Sequence, residues 1–158
     1  MNPEIVVATK ADIPDLILSA SRLFAEDGGR RDPFMDTGWP AREGAAYYGQ
    51  LVDSADCLCL LARNDQVEGH LTGRIATSAL RPGAVVAVLE SMHVAAEHRR
   101  RGIGSALVER FFEWAGGHSA NEFSVTAYAS NEAALALYRK HGFAPFEVTL
   151  TRGSSPAR

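Results

Sequence analysis

Between Leu89 and Leu107 the chain passes from an apolar run into a helical pattern through Arg99-Arg100-Arg101-Gly102-Ile103-Gly104. An apolar run that feeds a glycine-marked helix start is a strand-to-helix junction, and ligands of open α/β sheets sit at such junctions. Two glycines one residue apart let the backbone turn tightly and come close to a ligand. The helix that follows starts with free N–H groups and a positive dipole end, which makes an anion cradle with arginines around it; the competing reading is a plain glycine-containing helix start beside a solvated arginine run. Other phosphate loops fit less well. A nucleotide P-loop needs G-x-x-x-x-G-K-[ST], which is absent, and Leu107 stands where a G-x-G-x-x-G fingerprint has its third glycine.

On either side of the junction the hydrophobic period assigns the remaining elements. Ile5 to Ala8 is a β-branched run, and Asp12 then caps a helix carrying Ile13, Leu16, Ile17, Ala20, Leu23 and Phe24. Glu26 to Pro40 holds three glycines and two prolines and reads as a loop, with a second helix from about Ala41 to Leu51. Cys57–Ala62, Val67–Thr77 and Val85–Val94 form an antiparallel meander with short turns. A helix follows from Gly102 to Ala115, then a strand over Phe123–Tyr128, a helix through Ala134, Leu135 and Tyr138 that ends at Gly142, and a last strand marked by Phe146, Val148 and Leu150. The order is β-α-α-β-β-β-α-β-α-β. The expected class is α/β, with a mixed, mostly antiparallel twisted sheet flanked by helices. Residues 1–152 make one domain and 153–158 a frayed tail.

Composition narrows the partners. Sixteen Lys+Arg against 19 Asp+Glu give a net charge of −3, which argues against nucleic acid or an anionic membrane as the main partner. No apolar stretch reaches the roughly 18 residues that span a bilayer, and the start has no signal-peptide pattern. A cytoplasmic location is expected. The two cysteines, Cys57 and Cys59, share one face of a strand and are expected as small core residues. His70, His98, His118 and His141 lack metal-ligand spacing, so no metal is expected; surface and helix-end places are expected for them.

Two stretches carry a family resemblance. Arg99-x-x-Gly102-x-Gly104 follows the strand Leu89-Glu90-Ser91-Met92-His93-Val94 and resembles the [Q/R]-x-x-G-x-[G/A] signature of the GNAT superfamily of N-acetyltransferases. Downstream, Asn131-Glu132-Ala133-Ala134-Leu135-Ala136-Leu137-Tyr138-Arg139-Lys140-His141-Gly142-Phe143 resembles that family's N-x-x-A-x-x-x-Y-x-x-x-G-F helix. The element order agrees over nearly the whole chain. Ala96 stands where the family often has proline, a mild departure.

The resemblance implies acetyl-CoA as cosubstrate and acyl transfer to an amine by direct attack in a ternary complex. It gives Met92, His93 and Val94 backbone contacts to the pantetheine arm, which lies along the strand like an added strand. It seats the pyrophosphate on Arg99, Arg100, Arg101, Gly102, Ile103, Gly104 and Ser105, mainly through main-chain N–H. Asn131 would contact the pantetheine or a bound water, and the Val94 N–H would meet the oxyanion. Tyr138, two helical turns after Asn131, would be the general acid for the departing thiolate. Glu90 resembles the glutamate of the family's L-E-D-x-x-V pattern, which faces the acceptor; it would be the base, directly or through water. For Tyr138 the competing reading is a core aromatic, and for Glu90 a carboxylate on the solvated face. Strand alternation turns His93 away from Met92 and Val94.

The acceptor pocket is expected from the loop holding Arg30, Arg31, Asp32, Phe34, Asp36 and Trp39, followed by Tyr47 and Tyr48. Aromatic rings and acids there suit a cationic amine, and the arginines equally suit a substrate carboxylate; the competing reading is a flexible loop with no contact to substrate. A small-molecule amine is the expected acceptor, since no acidic tract offers a dock for basic protein tails. Self-association into a homodimer is left open. The rival from another class is a non-catalytic acyl-CoA-binding or sensing module of the same fold.

Overall fold

Strand β2, Cys57–Arg63, is apolar from Cys57 to Ala62 because both of its faces are covered. Leu58, Leu60 and Ala62 enter one core with Leu71, Ala87, Leu89, Leu107 and Phe111. Cys59 and Leu61 enter a second core with Leu16, Ala20, Tyr48 and Val67. The structure is a computed structural model and describes residues 2–154. Its sheet runs in spatial order β1 (Glu4–Val7), β2, β3 (Val67–Ala76), β4 (Val86–Val94), β5 (Glu122–Val125). The first four strands pair antiparallel, and β5 joins β4 in parallel.

Helices cover both faces. α1 (Ile13–Leu23) and α3 (Trp39–Asp53) lie over the second core, joined by a π-helical turn, Phe24–Gly28, and the single turn α2 (Gly29–Arg31). α4 (Ile103–Gly116) covers the first core, and Tyr138 of α5 (Glu132–Lys140) packs into the same core. Phe111 of α4 is fully buried where Gly73 leaves room on β3: a Cβ there would lie 2.8 Å from its ring. Removing such a ring typically costs about 3–5 kcal/mol. Cys59 is buried as expected, and burial pushes its thiol up to about 12, so it is inert at neutral pH.

The mixed, helix-flanked sheet is the expected class, but it has five strands rather than six. Phe146, Val148 and Leu150 alternate as a strand should, yet they are 79%, 77% and 88% exposed, and residues 144–150 adopt no strand. Alternation describes only a segment's own faces; a strand also needs an edge to bond to. The described backbone groups of this segment form no bond to the sheet, and it is tethered by Arg81, whose guanidinium lies 5.4 Å from the Phe146 ring centroid. The stretch expected as loop between Glu26 and Pro40 begins with helical turns, because α1 continues through Phe24–Gly28 without a break. The expected strand to Tyr128 stops at Val125. Of the expected tail, 155–158 lies outside the described residues. No helix among the described residues is long and apolar enough to cross a membrane.

Candidate active site

β4 and β5 pair only from Val86/Glu122 to Leu89/Val125. Beyond that point β4 continues to Val94 while the other arm turns away toward α5, so residues 90–94 keep an open edge. The separation starts at a bulge. On β3 the register steps from Thr72 opposite Ser91 to Gly73 opposite Leu89, which leaves Glu90 as the extra residue. A bulge bends its strand and re-aims the side chain it carries. Met92 and Val94 then pack toward the core under α4, while His93 lies beside Glu26 from the π-turn, toward α1.

The open edge leads into the start of α4. Gly102 has φ +81°, the left-handed region that suits glycine, and a Cβ there would meet nothing; the backbone turn alone requires it. Gly104 is different. A Cβ there would stand 3.1 Å from Leu137 Cδ2 of α5, so the small residue lets α4 start against α5. The N–H groups of Arg100 to Ser105 donate to no described backbone carbonyl, which leaves a row of donors at a helix N-terminus. Ser105 Oγ lies 3.0 Å from His141 Nε2. Arg100 and Arg101 are exposed, and Ile103 is core. Arg99, however, folds back: its Nε donates to Val94 O at 2.9 Å, and its Nη2 donates to Glu26.

On the other arm, Asn131 caps α5, its Oδ1 accepting from Ala134 N at 3.2 Å. Its Nδ2 donates to Asp27 Oδ1 at 3.2 Å. Tyr138 is buried two turns along. Gly142, at φ +90°, ends the helix with Gly142 N bonded to Arg139 O and Phe143 N to Tyr138 O, both at 3.0 Å. The Tyr138 and Phe143 rings meet edge to face at 5.8 Å. This is the geometry of a Schellman helix end with its apolar contact, so Y-x-x-x-G-F encodes a helix stop as well as a tyrosine. Burial first, and the Asp27 carboxylate second, push the Tyr138 phenol up to about 12, so it stays protonated at neutral pH.

Glu90 is on the α3 side of β4, ion-paired with Arg74 of β3. Burial, then the Glu90 charge, raises the Tyr47 phenol. Tyr47 meets Trp39 edge-on at 5.1 Å, and Trp39 stacks on Phe24 at 6.0 Å. An aromatic wall therefore stands beside an acid and a base. Phe34 takes no part; it is among the most exposed large side chains.

Several charged and polar groups of this region were not legible in the sequence. His70 is not at the surface or a helix end: it is fully buried, its Nδ1 2.6 Å from Ser19 Oγ and its Nε2 2.8 Å from Ser91 Oγ. Burial, then the nearby His93, pulls its pKa down to about 3, so the ring is neutral, donating to one serine and accepting from the other. Ser91 is thereby oriented next to Glu90. Glu26 was read only as the start of a loop. It accepts from His93 Nε2 at 3.2 Å and from Arg99; these bonds outweigh burial and hold its carboxyl below the usual range. A cleft of about 510 Å³ opens here, lined by Arg22, Glu26, Arg30, His93, Glu97 and Arg99 among others. No local signal marks these partners, because the contacts join residues 21 to 73 positions apart. No group of three or more His, Cys, Asp or Glu among the described residues could hold a metal ion.

The acetyltransferase (GNAT) family profile matches residues 24–143, the span holding the π-turn, the bulged strand, the cradle and the tyrosine helix. The chain belongs to the GNAT acetyltransferase family. A 67-residue stretch is 42% identical to the acetyl transferase GW6a of Oryza sativa subsp. japonica, covering 42% of this chain and 16% of that much longer protein. Among solved structures, a tetramutant of the BH1408 protein from Bacillus halodurans matches with TM-score 0.84 at 15% identity, covering 95% of this chain and 99% of that one. Aminoglycoside antibiotic 6'-N-acetyltransferase AAC(6')-IG from Acinetobacter haemolyticus matches with TM-score 0.74 at 24% identity, over 98% and 99%. Aminoglycoside N-acetyltransferase AAC(6')-Iy, solved in complex with CoA, matches with TM-score 0.73 at 14% identity, over 96% and 99%. At these identities the structural matches speak for the fold.

Proposed function

We propose that this protein transfers the acetyl group of acetyl-CoA to a primary amine of a small molecule, by direct attack in a ternary complex. The observation that carries the reading is the unpaired edge of β4 from Glu90 to Val94, which runs straight into the free N–H groups ahead of α4. The pantetheine amides would bond that edge as an added strand. The pyrophosphate would take the N–H groups of residues 100–105 and the positive helix end.

Acetyl transfer makes three demands. The ammonium of the acceptor must lose a proton, and Glu90 faces the acceptor side to take it, directly or through water. The thioester oxygen must be stabilised as it gains charge, which the Val94 N–H suits. The sulfur must leave as a thiol. Tyr138 is protonated at neutral pH and can donate a hydrogen bond to that sulfur. Full transfer from a phenol near 12 to a thiolate of ordinary pKa, about 8.5, is uphill, so the phenol acts as hydrogen-bond donor and concerted relay rather than as a free acid. The acceptor class follows from the aromatic wall of Phe24, Trp39 and Tyr47 beside Glu90, which suits a cation.

The test is CoA release from acetyl-CoA across a panel of small amines, with Tyr138→Phe alongside. Release with at least one amine is expected. Tyr138→Phe should lower kcat about 10²-fold, the lower end for general-acid groups, and leave acetyl-CoA binding nearly unchanged. Acetyl-CoA binding without release to any amine would favour the non-catalytic module. A kcat for Tyr138→Phe within about twofold of the parent, with chemistry rate-limiting, removes the tyrosine from the reaction.

A further inference from the structure

The π-turn Phe24–Gly28 carries two adjacent carboxylates that reach in different directions. Glu26 reaches the β4 arm. It accepts from His93 Nε2 at 3.2 Å and from Arg99 Nη2, and Arg99 Nε in turn donates to Val94 O at 2.9 Å. One carboxylate thus holds the end of β4 and the first residue of the cradle together. Asp27 reaches the other arm. Its Oδ1 accepts from Asn131 Nδ2 at 3.2 Å and from Arg31 Nε, and Arg31 Nη1 donates to Ser130 Oγ at 2.7 Å. The second carboxylate thus holds the loop before α5 and the cap of the helix that bears Tyr138. Between the two arms the sheet has no bonds beyond Leu89 and Val125.

An α-helical turn places successive side chains about 100° apart, and widening it to a π-turn changes where the following residues point; such turns are frequent at functional sites. Here the widened turn lets neighbouring residues serve opposite sides of one opening. We infer that the π-turn is a clasp across the cofactor cleft, and that Glu26 and Asp27 are positioning residues that set the cleft's width for the pantetheine arm of CoA. The inference rests on the reading of this cleft as the acetyl-CoA site. It also reassigns Arg99. Its Nε and Nη2 bond Val94 O and Glu26, so it shapes the cradle, and the main chain is the principal seat of the pyrophosphate.

The sign of one substitution separates a clasp from simple electrostatics. Glu26 is an anion close to the seat of a pyrophosphate, so deleting its charge would strengthen CoA binding if charge alone mattered. If Glu26 holds the cradle in shape, Glu26→Gln weakens binding, by about tenfold for one charged hydrogen bond. Asp27→Asn, which loosens the arm that carries Tyr138, should weaken CoA binding and also lower kcat. A double variant should lose less than the product of the two single losses, because a clasp opened at one end has little left to lose at the other.

The experiment is calorimetric titration of CoA into the parent, Glu26→Gln, Asp27→Asn, the double variant and Arg99→Lys. Melting temperatures without ligand accompany each titration. Arg99→Lys keeps the charge and loses the two-armed bridge, so it serves if Glu26→Gln does not fold; weaker CoA binding is expected here too. Equal or tighter binding by a folded Glu26→Gln, or by Arg99→Lys, overturns the clasp. So does a double variant whose loss equals the product of the single losses. A parent that binds no CoA overturns the acetyl-CoA reading itself, and with it the clasp; parent binding with unchanged variants overturns the clasp alone.

Discussion

Fully buried between Ser19 and Ser91, His70 makes the stability of the fold depend on pH in a way that can be calculated. Its pKa falls from 6.5 to about 3 on folding, chiefly through burial. A depressed folded pKa means that the unfolded chain binds the proton first. Stability is therefore intact above 6.5 and is lost as pH drops through the window toward 3. The whole gap is worth about 5 kcal/mol, and at about pH 5 the loss is already about 2 kcal/mol. Other groups titrate in the same range, among them His93, whose pKa burial also lowers. The comparison must therefore be with His70→Gln, which keeps a donor and an acceptor and removes the titration. Urea unfolding of both proteins at about pH 7.5 and about pH 5 gives four stabilities. The parent should lose about 2 kcal/mol more than the variant across that interval. Equal losses would mean that the buried imidazole is not what couples folding to protons, and would refute the reasoning.

Two further outcomes probe the site. Glu90→Gln should lower turnover most at low pH, where little of the acceptor is free amine, and less at high pH; an equal loss across a pH series would make Glu90 a binding group. Gly104→Val puts a Cβ 3.1 Å from Leu137 and crowds the donor row, so it should cost about 1–3 kcal/mol of stability and abolish the thermal shift produced by acetyl-CoA. An unchanged thermal shift would move the phosphate seat elsewhere.

Most of the elements were legible in the residues themselves. Asp12 and Pro14 mark the start of α1, the glycines of 116–117 and 142 stop α4 and α5, and the continuous apolar run of β2 announces a strand covered on both faces. The cradle is legible for the same reason. Glycine spacing and a helix start are local facts, and they act through backbone geometry within a few residues. The tyrosine helix is local as well, since its cap, its two-turn spacing and its Schellman end lie within thirteen residues.

What failed to show in the sequence depends on distance. Phe146, Val148 and Leu150 carry a strand's alternation, but alternation does not decide whether a segment bonds to an edge, and the described backbone groups of this one form no bond to the sheet. His70 looks like any polar residue in a strand, yet its neutrality follows from two serines 51 and 21 positions away. Glu26 and Asp27 read as the polar opening of a loop, and they matter only because folding brings the two arms of the sheet to the same turn. Local chemistry determined the glycine-marked turn into α4, the helices and the helix that carries Tyr138. The partners of Arg99, Asn131 and Glu90 were decided by tertiary structure alone, because side-chain charges find one another only after the hydrophobic cores have fixed where the backbone goes.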